Sequence, residues 1–132
     1  MIEGPSILDL QIAVSRADRA LTRHIEQACE QLNWAISAEE LQVLRTIQSI
    51  KRPTLIAEHL GRATPTISHI IKRLDEWGFI TRVKDSTDGR ARILEVTESG
   101  QAMLDRVYGL MFPLRAPDAT LGSAERIAKR VA

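Results

Sequence analysis

A mostly α-helical chain with one small β-hairpin wing is the architecture this sequence predicts, a winged helix-turn-helix flanked by N- and C-terminal dimerisation helices. Three observations predict it. A long apolar stripe at alternating intervals of three and four residues opens the chain. The residues Ala57, Gly61 and Ile67 then stand at the spacing of two steeply crossing helices. After Gly78 the apolar period changes from that of a helix to that of strands, around an Asp-Gly turn.

The first helix is expected from about Ile7 to Leu32. Ile7, Leu10, Val14, Ala17, Leu21, Ile25, Ala28 and Leu32 form one face, widened by Leu8, Ile12, Ala13 and Ala20. At 1.5 Å per residue such a helix is about 40 Å long. It carries more apolar surface than a small monomer can cover, so a partner chain is the simplest supplier of the remainder. Ser37 and Glu40 form a capping box, which starts a second helix running to about Ser49 with Leu41, Val43, Leu44 and Ile47 inward. Lys51-Arg52-Pro53 breaks it. A short helix follows from about Thr54 to Leu60, and Gly61 ends it. Thr64 is expected to cap the next helix, with Pro65 at its first position and Ile67, Ile70, Ile71 and Leu74 on its inner face.

Phe79 to Lys84 and Arg90 to Thr97 read as two strands joined by Asp85-Ser86-Thr87-Asp88-Gly89. Thr97 then caps a helix reaching about Phe112, interrupted by Pro113 and Pro117, and a last helix is expected over roughly Ser123 to Val131. The whole is one domain, 1–132. Residues 37–110 are expected to form the winged helix-turn-helix, flanked by 5–33 and 111–132.

Composition narrows the function. The chain has 132 residues, 44% hydrophobic and 27% charged, enough for a real core. No apolar run approaches the roughly 18 residues of a membrane span, and Met1 to Leu10 lacks the features of a secretory signal. One cysteine, Cys29, excludes an intrachain disulfide framework and points to a cytoplasmic protein. Net charge is only +1, but its distribution is uneven: Lys51 to Arg92 holds nine basic and five acidic residues, and the rest of the chain is net negative. A basic centre between acidic flanks suits one surface that faces nucleic acid.

The spacing argument names the surface. Two helices crossing steeply need a small residue at the contact, which Ala57 supplies. They need a left-handed residue at the turn, which Gly61 supplies, and a branched apolar residue falling back between them, which is Ile67. With Ile67, Ile70, Ile71 and Leu74 turned inward, the second helix presents Thr66, Ser68, His69, Lys72 and Arg73 outward. Short hydrogen-bonding groups near a helix N-terminus, with cations further along, suit base edges and phosphates. Lys84, Arg90 and Arg92 cluster about the hairpin tip, where an arginine can enter a minor groove. Asp88 either orients Arg90 or another local arginine, or serves only as a turn former with Gly89.

These segments resemble the MarR (multiple antibiotic resistance regulator) family. The resemblance is carried by Ile56-Ala57-Glu58-His59-Leu60-Gly61, Thr66-Ile67-Ser68, Leu74 through Arg82, Asp88-Gly89-Arg90 and Val96-Thr97-Glu98-Ser99-Gly100. It implies a two-fold homodimer in which 5–33 and 111–132 supply the dimerisation helices. It also implies that the helix around Thr66 to Leu74 reads the major groove of double-stranded DNA and that Arg90 enters the minor groove. The implied function is a transcriptional regulator, most often a repressor, commonly released by a small-molecule effector or by thiol oxidation. Cys29 reads as a small buried helix residue, and His24, Trp34 and Tyr108 as packing residues that would also suit a ligand pocket. No metal or cofactor is expected.

An enzyme finds little support. His24, His59 and His69 lie on different elements without paired-ligand spacing, Cys29 has no evident catalytic partner, and there is no glycine-rich phosphate loop. The alternative is a winged-helix protein-interaction module without sequence-specific DNA binding.

Overall fold

A computed structural model of the chain describes residues 6–89 and 91–111. Arg90 and the segment 112–132, with its expected last helix, lie outside the described residues. In chain order the elements are α1 (Ile7–Gln31), α2 (Ala38–Ile47), α3 (Pro53–Leu60), α4 (Thr64–Glu76), β1 (Ile80–Lys84), β2 (Arg92–Val96) and α5 (Glu98–Met111).

Capping chemistry sets most of the helix starts. Ser6 and Asp9 form a capping box on α1, which is not among the sequence expectations. Ser37 and Glu40 form the expected one on α2. Helix α3 begins with Pro53 at its first position, one residue before the expected Thr54, because the missing proline N–H has no helical partner to lose there. The start of α4 also differs by one residue. Ala63 is the N-cap, Thr64 opens the helix, and no side chain caps it. Pro65 therefore stands at the second helical position, where its lack of an N–H is equally harmless.

The core lies between α2, α3, α4, the hairpin and α5. Val43, Leu44, Ile47, Ile56, Ile67 and Leu74 are fully enclosed. Ala57 is buried and Gly61 takes φ +64°, so the helix-turn-helix closes through the residues its spacing indicates. The two strands pair antiparallel with Ile80 opposite Val96 and Lys84 opposite Arg92. They are shorter than expected. Phe79 leaves the ladder because its N–H bonds the Leu74 carbonyl at 3.0 Å, although its own carbonyl still receives the Thr97 N–H from across the hairpin.

Helix α1 stands apart. Its N-terminal turns leave Ile7, Leu8, Ile12, Val14 and Leu21 exposed, Ile7 to 74%. Only its last two turns join the core, through Ile25, Ala28 and Cys29. The long stripe read from the sequence is thus a helix, but most of its N-terminal part is not covered by any of the described residues.

The end of the hairpin is locked to α5. The Thr97 hydroxyl donates to the Gly78 carbonyl at 2.6 Å and accepts from the Gly100 N–H at 3.1 Å. A side chain at Gly100 would meet the Phe79 carbonyl oxygen at 2.2 Å, a backbone atom with little room to move. Gly100→Ala is therefore expected to destabilise the fold by about 1–3 kcal/mol through overpacking. Gly109→Ala, also in α5 but with no atom within 4 Å of the added carbon, should gain about 0.4–1 kcal/mol. Denaturant unfolding of the two variants beside the parent protein checks both signs.

Candidate nucleic-acid interface

Helix α4 presents its outer face because its inner face is committed. Ile67, Ile70, Ile71 and Leu74 are buried against α2 and α3, and the 3.6-residue period then turns Thr66, Ser68, His69 and Lys72 to solvent. All four are exposed. The first turn of α4 has no side-chain cap, so its leading N–H groups remain available to an anion. The site thus combines hydrogen-bonding side chains, a dipole end and a cation on one exposed face.

The wing is fixed to the body at its base. The Leu94 N–H donates to the Lys51 carbonyl at 2.9 Å, joining β2 to the loop before α3. Across the same junction the Arg52 guanidinium forms an ion pair with the Asp85 carboxylate. Asp85 is buried at the end of β1. Its Oδ1 accepts from the Thr87 N–H at 3.0 Å and the Thr87 hydroxyl at 2.8 Å, an Asx turn that begins the loop. These Thr87 bonds first, and the Arg52 charge second, hold the Asp85 carboxyl below the usual aspartate value.

Sequence reasoning misses this anchor. Arg52 reads as part of a helix break and Asp85 as a polar turn residue. They are 33 residues apart, and neither motif signals the other. The expected wing support, Asp88, sits exposed in the turn, where its backbone carbonyl accepts from the Ala91 N–H at 3.1 Å. Its expected partner Arg90 lies outside the described residues. Arg92 is exposed at the start of β2, opposite Lys84.

The basic residues divide by whether a carboxylate already holds them. Arg52 pairs with Asp85, Arg62 with Glu39 at 3.4 Å, Arg73 with Glu40 at 3.3 Å, and Arg82 with Asp75 at 3.9 Å. Of the described cations on α4 and the wing, Lys72, Lys84 and Arg92 have no such carboxylate partner. Arg73 also lies over the Trp77 ring, 4.8 Å from its centroid. It therefore differs from the other exposed positions of α4.

Two apolar cavities lie away from this face. One, an open cleft of about 170 Å³, lies between α1, α2 and α5 and is lined by Ile25, Leu41, Leu104, Val107, Tyr108 and Met111. The other, of about 190 Å³, is lined by Trp34, Ile36, Trp77, Phe79 and Met103. His24 lines neither and is exposed. Cys29 is buried, and burial raises its thiol pKa, assisted by nearby Glu26. The thiolate fraction is correspondingly small. Among the described residues no cluster of His, Cys, Asp and Glu could hold a metal ion, and no helix is long and apolar enough to cross a membrane.

Residues 36–91 match the sequence model of the MarR family. Solved structures with the same fold include BldR, a transcriptional regulator from Sulfolobus solfataricus. It is 19% identical with a TM-score of 0.76, over 93% of this chain and 94% of that one. CouR from Rhodococcus jostii RHA1, bound to p-coumaroyl-CoA, is 18% identical with a TM-score of 0.74, over 93% of this chain and 91% of that one. A mutant of MepR from S. aureus, bound to an oligodeoxyribonucleotide, is 18% identical with a TM-score of 0.62, over 92% and 94% of the two chains. No curated protein matches the chain in sequence. The family match and these folds bear out the resemblance read from the sequence.

The anchor at Asp85 has a pH signature. A carboxylate with a lowered native pKa stabilises the fold above its unfolded value and loses that contribution as pH falls through the native one. Asp85→Asn should lower the melting temperature at neutral pH, and the deficit should shrink as pH drops below about 4. A deficit of equal size from pH 7 to pH 2 would mean that the Asp85 charge contributes nothing.

Proposed function

We propose that this chain, whose residues 36–91 match the MarR family, is a homodimeric transcription regulator that binds duplex DNA. In this reading it is a repressor acting at a pseudo-palindromic operator. The observation that carries the DNA reading is the outer face of α4: Thr66, Ser68, His69 and Lys72 exposed together at a helix start whose N–H groups no side chain caps. Thr66, Ser68 and His69 are assigned to base edges in the major groove, and Lys72 to phosphate. Arg92, with Arg90, is assigned to the wing's contact with the adjacent backbone and minor groove. A MepR mutant, of the same fold, has been solved bound to an oligodeoxyribonucleotide.

The dimer reading rests on α1. Five large apolar side chains stay exposed along its first four turns. Each is worth about 1.5–3 kcal/mol when buried, so together they offset an association cost on the order of 4–15 kcal/mol. Residues 5–33 and 111–132 are assigned to this interface, and 37–110 to the winged helix-turn-helix. The cavity between α1, α2 and α5 adjoins it. A small apolar effector held there would touch both the interface and the DNA-binding part, which is how ligand relief would work.

Fluorescence anisotropy with labelled duplex tests the DNA reading. Affinity should fall steeply with salt, and Lys72→Ala and Arg92→Ala should each weaken binding to every duplex and reduce the log–log salt slope by about 0.9. Ser68→Ala or His69→Ala should instead change which sequence is preferred, by about 1–3 kcal/mol per lost base contact. Binding unaffected by salt, or absent, would favour a winged helix that docks on protein. Sedimentation should give a dimer at micromolar concentration and a monomer for Ile12→Asp with Leu21→Asp. A wild-type monomer would remove the dimer from the reading.

A further inference from the structure

The Glu40 carboxylate serves two helices. Its Oε1 accepts the Ser37 N–H at 3.0 Å and so starts α2. Its Oε2 faces the Arg73 Nε at 3.3 Å on α4. The Glu40 side chain is only 5% exposed, and that of Arg73 is 44% exposed. On its other side the Arg73 guanidinium stacks over Trp77, one helical turn along. Trp77 stands edge-on to Phe79, with ring centroids 6.0 Å apart. Phe79 in turn receives the Thr97 N–H on its carbonyl, immediately before β1 and after β2. One chain of contacts therefore runs from the N-terminus of α2, across α4, to the root of the wing.

From this geometry we infer that Arg73 is a positioning residue: it sets the angle of the DNA-facing helix against α2 and the wing and does not itself bind phosphate. The inference rests on the DNA-binding reading above and reassigns one residue of its basic face. The Glu40 Oε2, buried and without a hydrogen bond, lies 3.3 Å from the Arg73 Nε, and this opposite charge offsets part of the attraction Arg73 would have for a phosphate. Turning outward to reach DNA would strand the Glu40 carboxylate in the core, which is strongly unfavourable. Lys72, its neighbour in sequence, has no carboxylate to abandon and is the cation left for phosphate. The arrangement also explains why an arginine stands here: a lysine would keep the charge but lose the flat stacking surface on Trp77.

The test uses the full chain carrying Trp34→Phe, which leaves Trp77 as the one tryptophan of the two in the sequence. Glu40→Gln, Arg73→Gln and the double variant are made in this background. Glutamine serves a capping box as well as glutamate, so Glu40→Gln keeps the start of α2, and circular dichroism checks that each variant is folded. Trp77 fluorescence is read in the free protein, and affinity for a duplex selected by the parent is read over a range of salt. The expected result is a changed Trp77 emission in both single variants and an affinity loss on the order of tenfold in each, with a double variant no weaker than either. The salt slopes should stay parallel to that of the parent, because no phosphate contact is removed.

Parent-like affinity in Glu40→Gln, beside a weakened Arg73→Gln whose slope falls by about 0.9, would overturn the inference and make Arg73 a phosphate contact. Parent-like Trp77 emission in Glu40→Gln would overturn the relay from Glu40 to Trp77. Failure of the wild-type protein to bind any duplex at low salt would overturn the underlying reading instead, and is recognised because no variant is involved.

Discussion

The close crossing of α3 over α4 is the contact on which the rest of the molecule depends. Ala57 is small enough to let the helices approach, Gly61 turns the chain at φ +64°, and Ile67 fills the space that remains, fully enclosed. A larger residue at 57 would push the helices apart, and a β-branched residue at 61 would strain the turn. With this crossing in place, Ile70, Ile71 and Leu74 must follow Ile67 inward at helical spacing. The polar residues between them must then face out. The outward face of α4 is therefore a consequence of core packing rather than an independent design feature.

Three further junctions hold the wing and α4 in one frame. The Arg52–Asp85 pair and the Leu94–Lys51 hydrogen bond tie the hairpin to the loop before α3. Thr97 and the bare backbone at Gly100 tie the other end of the hairpin to α5. Glu40, Arg73 and Trp77 brace α4 from the side. Each junction joins residues far apart in sequence, and each uses a charged or polar group at the border of the core. In both ion pairs a buried carboxylate meets a half-exposed arginine, so the pairing fixes geometry more than it adds stability. In the proposed DNA-binding reading that geometry matters, because helix and wing would have to meet two grooves at once.

Local chemistry is the legible part of the sequence. The Ser37–Glu40 box, the Gly61 turn, the Ile67-to-Leu74 face and the strand pair around the Asp-Gly turn can all be read from spacing, because each depends on residues within one or two turns. The expected Thr64 cap is off by one position, since Ala63 and Thr64 can both precede a proline-started helix and only the backbone distinguishes them. The Ser6–Asp9 box escapes the reading although its pattern is present. What local pattern does not supply is partnership across the fold. Arg73 reads as one more cation on a polar face until Glu40, 33 positions earlier, is found beneath it. Asp85 reads as a turn former until Arg52 is found beside it. The apolar stripe of α1 is legible as a helix, and its exposed N-terminal turns give a physical ground for expecting a second chain.

The central claim is that two copies of this fold present two α4 helices to one duplex. Selection of binding sites from a pool of random duplex DNA, using the purified wild-type chain, tests it most directly. The account predicts an enriched pseudo-palindrome whose half-sites are centred about one helical turn apart, roughly 10 base pairs. Enrichment of a single asymmetric half-site would contradict the paired arrangement, and no enrichment over the starting pool would contradict sequence reading by α4 altogether.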